Sequence, residues 1–136
     1  MLRSIFLSIL ILITFFATAQ EKQQYKIAVV AFYNLENFYD TVHNPMINDN
    51  EFTPTGEKGY SGKIYTSKTG KLATVISKIG TDEKPVSTEG PTLLGVAEIE
   101  NDTVLNDLTH HPLLSKRNYK FVHYDSRDLR LSLIHI

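Results

Sequence analysis

The sequence predicts an α/β layered fold in which a helix connects two buried strands. Residues 26–33 are β-branched and aromatic without glycine or proline, which is typical of a central strand covered on both faces. Residues 93–97 form a second apolar run, bounded by Gly90 and Pro91. Between the two runs, apolar side chains recur at helical spacing: Leu72, Val75, Ile76 and Ile79. The order strand, helix, strand favours an α/β architecture.

The composition is that of one globular domain. The chain has 136 residues, of which 42% are hydrophobic and 21% charged, and its formal net charge is −1. No basic patch indicates binding to nucleic acid or a membrane surface, although a bound divalent metal would still allow a phosphate substrate. The absence of cysteine excludes disulfides, a thiolate nucleophile and cysteine metal sites.

The N-terminus has the three parts of an export signal. Arg3 supplies a positive charge, residues 5–16 are almost entirely apolar, and Ala17 and Ala19 form a small-x-small cleavage pattern. We therefore expect a signal peptide over residues 1–19 and export to a bacterial periplasm or the exterior. The apolar run is short for a bilayer span, which takes roughly 20 residues. An uncleaved N-terminal anchor is the alternative.

The first predicted strand ends in polar residues. Asn34 and Glu36 are two apart and project together if the chain stays extended. The alternative interpretation is an asparagine-initiated turn with a solvated glutamate. Residues 43–65 follow as a long polar loop. Within it, residues 48–51 lack the glycine and distal glutamate of a calcium loop, so we expect them to be solvated.

The predicted helix begins near Thr66 or Ser67, either of which can cap it, and it ends at Gly80. Its basic residues are predicted to form a solvated face: Lys68, Lys71 and Lys78. Residues 81–91 then form a polar connector to the second strand.

Residues 92–101 change from apolar to acidic where a core strand reaches the surface. If the strand stays extended, Glu98 and Glu100 point to the same face as Leu94 and Val96. Ligands bind at the carboxyl ends of strands in open α/β sheets, and a carboxylate there can hold a hard cation such as Mg²⁺. The alternative is that both glutamates only solvate the end of a strand.

The remaining residues predict a short helix and a third strand. Asp102 is expected to cap the helix, and residues 119–124 to form the strand. His110 and His111 are adjacent, so their side chains diverge on any regular element and are not expected to bind a metal together. His123 is expected to be a hydrogen-bonded core or edge histidine, and a general base is the alternative.

Three motifs together resemble the endonuclease/exonuclease/phosphatase superfamily, and its secreted bacterial branch most closely. They are FYNLENFYD at residues 32–40, LLGVAEIEN at residues 93–101 and HYDSRDLR at residues 123–130. The resemblance implies a DNase I-like fold, a layered sandwich of two β-sheets flanked by helices. It also implies cleavage of phosphate esters with a divalent metal, usually Mg²⁺, with Mn²⁺ or Ca²⁺ as alternatives.

The same resemblance assigns roles to three residues. Asn34 resembles the first-strand asparagine that orients the phosphate and the water held by the metal. Glu36 matches an acidic position that assists metal binding, and Glu98 matches the principal metal ligand. These residue types suit the roles, because a carboxylate holds the cation and an amide donates a hydrogen bond without adding charge.

The chain departs from the family pattern after residue 130. Residues 131–136 replace the family's glycine and following strand, and we interpret them as a non-native tail. The Gly-Asp-x-Asn motif, a later catalytic aspartate and a C-terminal Asp-His pair are missing, so residues 20–130 correspond to the N-terminal part of the family domain. No histidine inherits the catalytic role, since all of them lie outside that motif: His43, His110, His111, His123 and His135.

We therefore expect an exported, Mg²⁺-dependent phosphoesterase, present here as an N-terminal portion that is inactive alone. Its substrate would be a nucleic acid, a nucleotide or a small phosphorylated molecule. We expect a monomer without a stable membrane partner. The alternative is an exported non-catalytic binding or structural module, in which the acidic strand ends are only surface.

Overall fold

A computed structural model of the protein describes residues 25–82 and 87–124 and the backbone of residues 132–133. These ranges contain the helices α1 (Gly62–Lys78) and α2 (Asp102–His110) and the strands β1 (Val30–Phe38), β2 (Leu93–Ile99) and β3 (Ser132–Leu133). Short 3-10 turns lie at Asn50–Phe52 and Ser115–Arg117. Neither helix in the described ranges is long and apolar enough to cross a membrane.

Two of the predictions concern segments that lie wholly or partly outside the described residues. The signal peptide over residues 1–19 is outside them, as are positions 131 and 134–136 of the predicted tail. The two described residues of that tail form β3.

The three strands form one sheet in the order β1-β2-β3. β1 and β2 are parallel, with Val30 opposite Leu93 and Asn34 opposite Ala97, whereas β2 and β3 are antiparallel. The connection from β1 to β2 contains α1, as is usual for a crossover between parallel strands. The predicted α/β class is confirmed, and the described residues contain one of the two sheets that the resemblance implies.

The core lies between one face of the sheet and the two helices. Side chains alternate along β1: Leu35 is fully buried, whereas Val30 and Phe32 are 71% and 69% exposed on the other face. The prediction that the first strand is central and covered on both faces is therefore wrong for the part of the chain that the structure describes. Eleven buried residues form the core: Leu35, Phe38, Leu72, Ala73, Ile76, Val96, Ile99, Val104, Leu105, Leu108 and Leu114.

α1 begins earlier than its spacing predicts. Its N-cap is Ser61, and its first turn contains Tyr65, whose ring stacks on Phe38 with the ring centroids 5.7 Å apart. The Tyr65 hydroxyl also donates to the Asp107 carboxylate of α2 at 2.7 Å. Because these contacts are tertiary, they extend the helix beyond the start that local sequence indicates. The helix ends as predicted before Gly80, whose φ of +74° favours glycine.

α2 is capped by Asn101 and not by Asp102 as predicted. Asn101 has an extended backbone, and its side-chain oxygen accepts a hydrogen bond from the Val104 amide at 3.1 Å. Asp102 is instead the first helical residue, where its carboxylate lies at the positive end of the helix dipole.

Residues 119–124 do not form a strand, contrary to the prediction from their composition. Tyr119 packs against the core, and its hydroxyl donates to the Pro91 carbonyl at 2.8 Å. β2 lies between β1 and β3 in the sheet, so both of its edges already have partners. Strand propensity depends on tertiary context, and here core packing and the hydrogen bond from Tyr119 to Pro91 hold the segment outside the sheet.

The loop between β1 and α1 is ordered around a buried carboxylate. Asp49 is 2% exposed, contacts His43 Nδ1 at 2.6 Å and accepts from the Asn44 amide at 2.7 Å. The expectation that residues 48–51 are solvated is therefore wrong for Asp49. Three aromatic rings pack on one another in the same region: Tyr39, Phe52 and Tyr60.

The packing of α1 predicts a large difference between two neighbouring substitutions. Ile76 is 1% exposed, whereas Val75 is 41% exposed on the same helix. Ile76→Ala should lower the free energy of unfolding by about 2–4 kcal/mol, because it removes buried methyl groups and leaves a cavity. Val75→Ala should change it by less than about 1 kcal/mol. Urea denaturation followed by circular dichroism measures both, and equal losses would contradict the assignment of the buried face.

Candidate functional site

The carboxyl ends of β1 and β2 lie side by side. Because the strands are parallel and Asn34 is opposite Ala97, the next residue of β2, Glu98, comes close to Asn34. The Asn34 side-chain amide donates to Glu98 Oε1 at 2.8 Å, although the two residues are 64 positions apart in the sequence. The structure therefore brings together two of the three site residues that the sequence analysis names.

Each carboxylate oxygen of Glu98 accepts one hydrogen bond. Oε1 accepts from Asn34, and Oε2 accepts from the backbone N–H of Asn37 at 3.0 Å. The side-chain oxygen of Asn34 accepts from the N–H of Glu36 at 2.8 Å, which fixes the orientation of the amide. Because both donors to Glu98 are neutral, they orient the carboxylate without cancelling its charge. Each oxygen keeps lone-pair capacity for a cation.

Both strands leave the extended conformation at this point. Glu36, Asn37 and Glu98 have positive φ angles of 53°, 60° and 58°. Such angles are uncommon for residues other than glycine, and they persist where the surrounding structure enforces them. The alternation expected of an extended strand therefore ends at Glu98. Glu98 is half-buried at the site, whereas Glu100 is only 7% exposed.

Glu36, the third predicted site residue, is exposed on a bulge of β1. The strand register passes from Asn34 opposite Ala97 directly to Phe38 opposite Ile99, so β1 has two more residues than β2 in this interval. This bulge contains Glu36 and Asn37 and turns their backbone groups away from the regular ladder.

Lys68 belongs to the site, although the sequence analysis predicts it to be solvated. Its ammonium donates to the backbone carbonyl of Asn37 at 3.0 Å and also to that of Glu36. Burial lowers the pKa of Lys68, while the negative charges of Glu36 and Glu98 oppose that shift. The sequence could have indicated that Lys68 is not fully solvated, because it precedes the core residue Leu72 by four positions and shares its face of the helix.

Glu100 is buried and belongs to a second network, with the partly buried Asp40 and Asn101. Its Oε2 accepts from the backbone N–H of Asp40 at 2.7 Å, and its Oε1 has no hydrogen-bond partner among the described residues. The Asp40 carboxylate accepts from the Asn101 side-chain amide at 3.0 Å. Burial raises the pKa of Glu100 to about 7; the Asp40 hydrogen bond opposes the rise, and the charges of Asp40 and Asp49 add to it.

The described histidines make their hydrogen bonds elsewhere. His43 contacts Asp49, and His110 contacts a backbone carbonyl of its own helix. His123 contacts Asp102 at 2.7 Å, and its side chain is 8% exposed. The prediction that His123 is a hydrogen-bonded core or edge histidine is confirmed.

The oxygen donors at the strand ends fit a hydrated divalent cation. Mg²⁺ is commonly held by one or two carboxylates and keeps several waters. Glu98 offers an oriented, partly exposed carboxylate, and Glu36 offers an exposed one on the adjacent bulge. Among the described residues, no group of three or more acidic or histidine side chains forms a protein cage for a metal. The donors that are present would therefore hold the cation with much of its water shell.

Comparison with known families agrees with this geometry. The model of the Endonuclease/Exonuclease/phosphatase family matches residues 29–134, which is most of the chain. The chain belongs to this family. Membership of the Endonuclease/Exonuclease/phosphatase family confirms the resemblance at the level of the superfamily and makes the protein a relative of phosphoester hydrolases that usually use divalent metals. The closer resemblance to the secreted bacterial branch stays a prediction. No curated protein and no solved structure matches the chain.

The family match also bears on the C-terminal segment. It extends into residues 131–134, and two of these residues pair with β2 as β3. The interpretation of residues 131–136 as a non-native tail stays a prediction.

The raised pKa of Glu100 predicts a pH dependence of stability. The group titrates at its ordinary value of 4.5 in the unfolded chain and at about 7 in the folded protein. Between these values the folded state binds more protons, so the stabilising contribution is complete below the unfolded pKa and is lost as the pH rises through 7. From about pH 5 to about pH 8, the free energy of unfolding should fall by on the order of 2 kcal/mol.

Glu100→Gln should remove this dependence, because the amide does not titrate. Urea denaturation in the presence of EDTA, at both ends of the pH range, measures the effect. Glu89→Gln is the matched control, since Glu89 is exposed and its substitution makes the same change of charge. Parallel pH profiles of the wild type and the Glu100→Gln variant would contradict the prediction.

Proposed function

We propose that the protein is a Mg²⁺-dependent phosphoester hydrolase in which Glu98 is the principal metal ligand and Glu36 assists it. The main support is the Glu98 carboxylate, which two neutral donors orient at the carboxyl ends of parallel strands. This edge of a parallel sheet is where ligands bind in α/β proteins. Membership of the Endonuclease/Exonuclease/phosphatase family supports the same class of reaction.

The residues at the strand ends have different proposed roles, namely metal binding and substrate orientation. When bound, Mg²⁺ withdraws charge from the phosphoryl oxygens and stabilises the leaving oxygen. Glu98 and Glu36 hold the cation through their carboxylates. The Asn34 amide has two hydrogens, of which one donates to Glu98. The other hydrogen can donate to a phosphate oxygen, which orients the substrate without adding charge.

The proposed substrate is a phosphodiester or phosphomonoester of a nucleic acid, a nucleotide or a small phosphorylated molecule. The formal net charge of −1 gives little long-range attraction for a polyanion, so substrate binding would depend on the local positive charge of the metal. We further propose that residues 1–19 direct export to a bacterial periplasm or the exterior, and that the protein is a monomer there. These two proposals rest on the sequence pattern alone.

We also propose that the described residues supply the metal-binding part of the site but not the group that activates water. A general base must come within hydrogen-bond reach of the water that it deprotonates, directly or through one further water. The hydrogen bonds given for the described histidines are to groups other than Asn34, Glu36 and Glu98; these histidines are His43, His110, His111 and His123. By this proposal, the described residues alone would bind the metal without hydrolysing esters.

Glu98→Gln tests the metal site directly. Isothermal titration of the purified chain with Mn²⁺ should show binding that the substitution weakens at least roughly tenfold, because an amide is a poorer ligand than a carboxylate. Glu89→Gln should leave the affinity unchanged, since Glu89 is an exposed glutamate outside the site. Equal affinities for the wild type and Glu98→Gln would overturn the assignment and favour the non-catalytic binding or structural module.

A hydrolysis assay tests whether the site is complete. Residues 20–136 should not accelerate Mg²⁺-dependent cleavage of bis(p-nitrophenyl) phosphate above buffer that contains the metal alone, because no water-activating group has been identified. Measurable turnover that disappears in Glu98→Gln would contradict the proposed incompleteness while supporting the reaction. In a longer native chain that is active, Glu98→Gln should abolish most of the hydrolysis.

A further inference from the structure

One peptide group of the β1 bulge lies between two charged side chains. In the peptide that joins Glu36 to Asn37, the carbonyl oxygen accepts a hydrogen bond from the Lys68 ammonium. The N–H of the same peptide donates to Glu98 Oε2. The carbonyl of Asn37 is a second acceptor for the same ammonium, at 3.0 Å. Lys68 and Glu98 are thus joined through a single backbone amide.

The geometry of a peptide makes this connection directional. Its carbonyl and N–H are held in one plane and point in opposite directions, so fixing one fixes the aim of the other. An ammonium at the oxygen and a carboxylate at the hydrogen both strengthen their hydrogen bonds, because charged partners polarise the amide between them. The residues on either side of this peptide, Glu36 and Asn37, both have left-handed φ angles.

We propose that Lys68 is a positioning residue for Glu98, which it aligns for metal binding by clamping the Glu36–Asn37 peptide. This inference rests on the proposed function. Two of the three ammonium hydrogens of Lys68 are donated to backbone carbonyls of the bulge, so we assign its main role to orienting the peptide that binds Glu98. The opposing role is electrostatic competition, in which the ammonium repels a divalent cation from the two carboxylates.

The two roles predict opposite signs for the same substitution. Lys68→Met removes both the clamp and the charge. If Lys68 positions Glu98, the affinity for Mn²⁺ should fall about tenfold, which is typical of losing a group that orients a metal ligand. If Lys68 competes with the cation, the affinity should rise, and the rise should shrink with added salt. Unchanged or increased affinity overturns the proposal.

A set of matched variants separates positioning from folding. Lys68→Arg keeps the charge and the donors and should recover most of the affinity. Lys71→Met changes an exposed lysine of the same helix and should bind like the wild type. Urea denaturation of each variant identifies the fraction folded under the titration conditions. If Lys68→Arg binds no better than Lys68→Met while both are folded, the clamp is not responsible.

The double variant Lys68→Met/Glu98→Gln tests whether Lys68 acts through Glu98. Positioning acts through Glu98, so Lys68→Met should weaken binding in the wild type but have no further effect in Glu98→Gln. A lysine that acted by charge on Glu36 as well would still change the residual affinity of Glu98→Gln. Additive effects of the two substitutions would therefore overturn the proposal.

A metal-free measurement distinguishes failure of this inference from failure of the proposed function. The amide proton of Asn37 donates to Glu98, so its NMR chemical shift reports the clamp directly. Lys68→Met and Glu98→Gln should each move this resonance, with non-additive shifts in the double variant. If the chain binds no Mn²⁺ but this pattern is present, the metal function fails and the clamp stands. If Lys68→Met leaves the Asn37 amide chemical shift unchanged, the proposed positioning role of Lys68 is wrong.

Discussion

The site depends on the register between β1 and β2. Placing Asn34 opposite Ala97 in a parallel pair brings the two strand ends to the same edge of the sheet. Once they are there, the Glu98 carboxylate can take one hydrogen bond from a side chain of β1 and one from its backbone. A shift of one residue would reverse the faces of the side chains on β1 and would separate Asn34 from Glu98. The core pattern specifies this register, because Leu35 and Phe38 are both fully buried.

Glu98 in β2 and Glu100, just after it, have different surroundings. Glu98 is partly exposed and holds neutral donors on both oxygens, which leaves its charge available. Glu100 is buried with one partner, and its pKa is raised to about 7. Its neighbour Asn101 caps α2 through one side-chain atom and donates to Asp40 through another. This partly buried network therefore links the residues that follow β1 and β2 to the N-cap of α2.

Periodicity in the sequence predicted the features that depend on local pattern, such as the buried face of α1. The helix spacing identified the core residues Leu72 and Ile76, whereas the family resemblance assigned Asn34 and Glu98 to one site. The left-handed angles at Glu36 and Glu98 were not predictable in this way, because neither residue type favours them. They result from contacts between strands that are distant in the sequence.

The other errors have similar causes. Lys68 was assigned to solvent by its charge, although its carbonyl partners exist only after β1 forms its bulge. Asn101 and Asp102 are both good capping residues, and the hydrogen bond to Asp40 favours Asn101 as the cap. Residues 119–124 have strand composition, but the packing of Tyr119 on the core and its hydrogen bond to Pro91 hold them outside the sheet. In each case the outcome depends on a tertiary neighbour, which single-sequence patterns do not contain.

The pairing of β1 with β2 also constrains how the chain acquires its structure. The hydrogen bond between Asn34 and Glu98 joins residues 64 positions apart. β1 and β2 can therefore pair only after the chain between them, which contains the loop, α1 and the connector, has closed into one large loop. The backbone hydrogen bonds within α1 are local, so the helix can form earlier and shorten the effective length of that large loop. We therefore expect the sheet to assemble late, with the helix as its template and with the slow step at the closure of the crossover.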